Sequence, residues 1–133
     1  MQTLFRTFSL AILPLLMLLS PTASADTLNA EQVKALFSDK TVEYRHKKLG
    51  FEFIVYHAPD GTLRGTRDGH PMGELQWSVN DQGELCIAYN QKQSCYPIMH
   101  EDGKYKKYTL DDNGKRKILL TYRRFIDGNP NDF

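Results

Sequence analysis

The chain has 133 residues, 41% hydrophobic and 25% charged, with 17 Lys+Arg against 16 Asp+Glu and a formal net charge of +1. Such a balance excludes a dedicated nucleic-acid binder, which concentrates positive charge on one face. The length allows one domain, able to bury roughly two-thirds of the surface that its unfolded chain exposes.

Residues 1–25 read as an address. Arg6 supplies a thin positive start, residues 8–19 are almost wholly apolar, and Ala23-Ser24-Ala25 is a small-residue cleavage site. The apolar core is too short for a transmembrane helix, and no cysteine stands at the cleavage point to carry a lipid. The expectation is a signal peptide cleaved after Ala25. Residues 26–133 then form a single β domain, periplasmic or secreted, with no membrane span. Arg6 is the one charge in the leader, so the mature chain is neutral, with 16 basic and 16 acidic side chains.

One short helix comes next. Asn29 suits the N-cap, Gln32 reaches back from the third helical position, and Leu28 staples against Val33. Val33, Leu36 and Phe37 form an apolar stripe that must dock on the β structure, at its open end or flank.

From Thr41 the apolar period becomes two, broken by turn signals such as Pro59-Asp60-Gly61, Asp68-Gly69, Asn90-Gln91, Asp102-Gly103 and Asn113-Gly114. These mark eight strands, at residues 41–45, 51–56, 62–67, 74–79, 84–89, 94–99, 104–110 and 115–125. Short connections make sequence neighbours spatial neighbours. The fold expected is all-β: an antiparallel eight-strand meander forming a small closed or nearly closed barrel, with a two-sheet sandwich as the alternative. Phe51, Phe53 and Val55 point inward, as do Leu75, Trp77 and Val79, and Ile118, Leu120 and Tyr122. The last residues, 126–133, are expected to lie loosely on the surface.

A two-residue turn at Asn90-Gln91 pairs Tyr89 with Lys92 and Cys86 with Cys95. The cysteines then form a non-hydrogen-bonded pair about 4.5 Å apart at Cα, within reach of a disulfide. That register places Leu85, Ile87, Tyr96 and Ile98 inward and the cystine on the outer face. In an oxidising compartment a lone cysteine pair reads as structural. It lacks the Cys-x-x-Cys spacing of a redox site.

Tyr56-His57-Ala58-Pro59-Asp60-Gly61-Thr62-Leu63-Arg64-Gly65, Trp77-Ser78-Val79, Leu85-Cys86, Cys95-Tyr96 and the closing Gly128-Asn129-Pro130 resemble a family of short exported proteobacterial proteins catalogued as a domain of unknown function. In that family a Gly precedes the Trp-x-Val strand, whereas here Gly73 stands four residues before Trp77. The resemblance implies an exported β domain with one disulfide, and implies no reaction.

Candidate sites are few. Leu63 inward carries Gly65 and Arg67 inward too, so one of Arg64 and Arg67 must be paired or line a wet rim. An Arg–carboxylate pair with Asp68 or Glu74 is one reading; a carboxylate or phosphate ligand held by a guanidinium is the other. Arg64, Arg67 and Trp77 are the ligand-binding candidates. Lys104, Lys106, Lys115 and Lys117 are the anion-binding candidates, from a hairpin that also holds Lys107, Arg116, Arg123 and Arg124 against Asp111 and Asp112. The alternative for those lysines is edge protection. His46, His57, His70 and His100 share no metal-ligand spacing and read as surface or loop residues. Asp111-Asp112-Asn113-Gly114 reads as a turn, not a calcium loop. No metal, cofactor or catalytic residue is assigned.

The functional expectation is a non-catalytic envelope module that binds a small or anionic ligand, an anionic envelope component or another envelope protein. The alternative is a small hydrolase or isomerase using polar residues around Arg67 and His70. A histidine within hydrogen-bond reach of a carboxylate would favour the enzyme.

Overall fold

In the computed structural model, residues 26–133 are described. The leader and its cleavage site lie outside the described residues. The elements in order are β1 Asp26–Thr27, α1 Ala30–Phe37, β2 Lys40–His46, β3 Glu52–His57, β4 Thr62–Arg67, β5 His70–Pro71, β6 Leu75–Val79, β7 Leu85–Tyr89, β8 Lys92–Tyr96, β9 Ile98–Glu101, β10 Lys104–Leu110 and β11 Arg116–Asp127. All strand pairs are antiparallel, in the path β1-β9-β10-β11-β2-β3-β4-β6-β7-β8, with β5 added to β4. The result is a curled, open half-barrel of eleven strands, ten along that path and β5 beside β4.

The all-β expectation holds, but the eight-strand barrel needs correction. The eight expected strands are present, and the first and last pair as closure demands, Tyr44 facing Tyr122 and Val42 facing Phe125. The barrel opens in its middle instead. The sixth expected strand divides at Pro97, so that β8 pairs with β7 while β9 pairs with β10. Proline has no N–H for a central ladder. One residue therefore sends the two halves of a single extended run to opposite ends of the sheet path. The N–H of Tyr108 donates to the Pro97 carbonyl at 3.2 Å, the last link before the strands part. The two-residue β1 and β5 are the other additions, and no second sheet forms among the described residues.

Turn chemistry follows the sequence closely. Asp68-Gly69 and Asp102-Gly103 both adopt positive φ and join β4 to β5 and β9 to β10 as two-residue hairpins. Asp111 Oδ1 accepts from the N–H groups of Asn113 and Lys115, closing the hairpin turn expected there. At Gly65 a side chain would run into the Ile54 carbonyl, so β3 and β4 approach as only glycine allows.

The core lies on the concave face. Val33, Phe37, Val42, Val55, Leu63, Trp77, Leu85, Ile98, Leu120 and Tyr122 form one buried cluster. The helix begins with the expected reciprocal cap between Asn29 and Gln32. Its Phe37 ring packs edge-on against Tyr122 and Phe125, 5.2 and 5.4 Å away. The helix thus fills the trough at the end where His57 faces Leu63.

Two irregularities in β11 set which residues face inward. Leu119 is unpaired between Leu120, opposite Lys107, and Ile118, opposite Tyr108. Facing residues share a side of the sheet, so Ile118 lies with Tyr108 on the convex face and is absent from the core, contrary to expectation. Arg123 is likewise skipped, and Phe125 rather than Arg124 turns inward. The tail is also more ordered than expected. Strand β11 runs on to Asp127, and Asn129 and Phe133 exchange two hydrogen bonds of 3.0 Å.

Candidate functional site

In β4, Leu63 and Gly65 are buried and Arg67 ends the same row at the rim. The end of the trough opposite the helix is where Phe53 faces Arg67. There a cleft of about 400 Å³ is lined by Phe53, Arg67, His70, Pro71, Met72, Gly73, Leu75 and Tyr89. The Asp68-Gly69 turn folds His70 back beside Arg67, and Tyr89 reaches the lip from the end of β7. The Arg67 guanidinium lies 4.7 Å from the centre of the Phe51 ring. None of the ion pairs among the described residues involves Arg67. Arg64, on the other side of the strand, pairs with Glu74 at 3.2 Å. The rim thus holds both readings of the arginines: one is paired, and one faces a cleft.

The remaining expected residues fall elsewhere. Trp77 is a core residue whose indole N–H donates to the Ala58 carbonyl at 2.8 Å. Lys106 pairs with Glu101 at 3.0 Å. Strand alternation puts Lys104 and Lys106 on the convex face and Lys117, opposite Thr109, on the other. Lys115 belongs to the exposed turn. The four lysines therefore make no single patch. Two arginines of β11 are drawn to acids, Arg124 to Glu43 of the neighbouring β2 at 2.7 Å and Arg123 to Glu52 of β3, one strand further, at 3.1 Å.

Cys86 and Cys95 are bonded in the expected register, with Cα atoms 4.0 Å apart. The cystine shares the convex face with Ser78, yet Cys86 is only 2% exposed.

Three histidines sit as expected, on turns or the surface. His46 Nδ1 accepts from the Leu49 N–H, His70 Nδ1 lies 3.1 Å from the Asp68 carbonyl, and His100 packs on Tyr105. His57 departs from expectation. It continues the inward row of Phe53 and Val55 and is buried between Phe37 and Trp77, at ring distances of 5.0 and 5.4 Å. Burial, aided by the charge of Lys107, pushes its pKa down to about 3. His46 and His70 meet backbone groups and not carboxylates, and among the described residues no group of three or more His, Cys, Asp or Glu could hold a metal ion.

Sequence reasoning missed Lys107. It faces inward between Ile98 and Leu120, with no acid paired to it among the described residues. Burial lowers its pKa to about 8, and its ammonium stands 5.9 Å from the Tyr96 ring centre. The signal was present in the alternation Tyr105, Lys107, Thr109, masked by the lysines around it.

Among the described residues no helix is long and apolar enough to cross a membrane. No protein-family model, characterised protein or solved structure matches this chain.

Proposed function

We propose that this chain is an exported, non-catalytic binding module of the cell envelope whose rim cleft takes a small ligand by its carboxylate or phosphate. The observation that carries this reading is Arg67, a guanidinium without an ion-pair partner among the described residues, heading a cleft with mostly apolar walls. A guanidinium in that position offers paired N–H donors to a planar anion. Phe53, Met72, Leu75 and Tyr89 offer contact to an apolar body.

Binding is favoured over hydrolysis because His70 meets a backbone carbonyl instead of an orienting carboxylate. Export is favoured by the leader pattern and by the formed disulfide. The resemblance to exported proteobacterial proteins of unknown function supports the same placement.

Calorimetric titration with a panel of aryl and acyl carboxylates and their phosphate and alcohol counterparts tests the reading. Binding of the anionic members, lost in Arg67→Met with the melting temperature unchanged, is the expected result. Equal binding of anion and alcohol, or binding indifferent to Arg67, would refute it.

A further inference from the structure

The large apolar side chains most open to solvent among the described residues are Leu49, Tyr89 and Leu110, at 58%, 61% and 59% exposure. Exposed leucines scattered singly are ordinary, but these three share one rim. Antiparallel pairing sends the 47–50 loop and the turns at 68–69, 90–91 and 111–115 to the end of the sheet opposite the helix. Leu49 sits in the first of these connections, Tyr89 leads into the third and Leu110 into the fourth. The Leu49 loop is held from within. Its N–H donates to His46 Nδ1 at 3.1 Å, the Gly50 N–H to the His46 carbonyl at 2.8 Å, and Arg45 Nε to the Gly50 carbonyl at 3.1 Å.

Charge divides along the same axis. The helix end holds Glu31, Asp39, Asp60, Asp81, Glu84 and Asp102 against Lys34, Lys40 and Lys104. The opposite rim exposes Lys47, Lys48, Lys92, Lys115, Arg116 and Lys117 around the three apolar side chains. Most of its acids are engaged. Asp68 Oδ1 accepts from the Glu52 N–H, Asp111 Oδ1 accepts from the Asn113 and Lys115 N–H groups, and Glu52 pairs with Arg123, which leaves Asp112. A mature chain with no net charge is therefore strongly polarised.

We propose that this rim docks on an anionic lipid surface, Leu49, Tyr89 and Leu110 entering the headgroup layer and the surrounding lysines meeting lipid phosphates. Apolar tips beside bases suit such a boundary, where buried apolar area and attraction to anionic headgroups add. The polarity also sets the approach, because an anionic surface attracts this rim and repels the helix end. A second copy docked head to tail would satisfy the charges. Its acidic end, however, offers the leucines no exposed large apolar partner among the described residues. The rim cleft opens at this end too, but Leu49, Leu110 and the lysines lie outside its lining, so docking does not depend on what the cleft holds.

Co-sedimentation of the mature, disulfide-bonded protein with vesicles tests this, using phosphatidylcholine alone and phosphatidylcholine mixed with phosphatidylglycerol. We expect binding to the mixed vesicles only, weakened by salt. Lys47→Gln and Lys48→Gln should each weaken it by about fivefold, and Leu49→Ser and Leu110→Ser by roughly tenfold each. Lys34→Gln, at the helix end, should change nothing. Absence of binding to the mixed vesicles would overturn the proposal, as would binding indifferent to both leucines. Equally tight binding of heparin that ignores the leucines would assign the rim to soluble polyanions and overturn the lipid reading. Small-carboxylate titration of the same variants reports on the cleft separately, so either reading can fail alone.

Discussion

The ammonium of Lys107 lies 5.9 Å from the centre of the Tyr96 ring, beside the line where the sheet parts at Pro97. One residue belongs to β10 and the other to β8, strands that the curl of the sheet brings together without a shared ladder. Both residues lie beside the open seam, and the pH behaviour of Lys107 follows from its burial there.

Burial lowers the Lys107 pKa from its ordinary 10.5 to about 8. Between those values the unfolded chain keeps a proton that the folded protein has released, so stability rises with pH. The gap corresponds to on the order of 3 kcal/mol. Lys107→Met should therefore be more stable than the wild type at pH 7 in low salt, and the difference should shrink from about pH 8 to 10. Urea titrations at several pH values measure this. A wild-type curve parallel to that of the variant would refute it.

His57 gives the opposite end of the profile. Its pKa falls from 6.5 to about 3, with burial as the main cause. The folded state stays neutral where the unfolded imidazole is charged, so stability should fall as pH drops from 6.5 toward 3. His57→Phe, keeping a ring between Phe37 and Trp77, should be less sensitive to acid over that window. NMR of the wild-type ring should show no titration between pH 5 and 8.

Removing the disulfide should cost roughly 3 kcal/mol in the loop-entropy account. Cys86→Ser should then lower the melting temperature by about 10 °C. Scanning calorimetry under oxidising conditions checks this, and an unchanged melt would show that the bond contributes nothing.

Phe37 is completely buried and meets His57, Tyr122 and Phe125. Phe37→Ala should destabilise by about 3–5 kcal/mol, because the rigid sheet around it cannot collapse into the space. Leu36→Ala, at a less buried helix position, should cost much less. Equal losses would mean that the helix is held by its whole face and not by the one ring.

Features set within a few residues were legible in the sequence. The Asn29–Gln32 cap, the Asp-Gly hairpins and the Cys86–Cys95 register follow from local hydrogen bonding and a period of two, which need no knowledge of distant neighbours. The tertiary structure alone decided the rest. Tyr122-Arg123-Arg124-Phe125 becomes a bulge because Val42 and Tyr44 of β2 must both meet rings. Pro97 opens the barrel because a strand continued through it between β7 and β10 would lack one N–H of its ladder. The basic hairpin loses much of its charge to Glu43, Glu52 and Glu101, and Lys107 is buried among lysines that remain in water. Residue type says that a charge is present, but which strand lies opposite determines whether that charge is solvated, paired or enclosed.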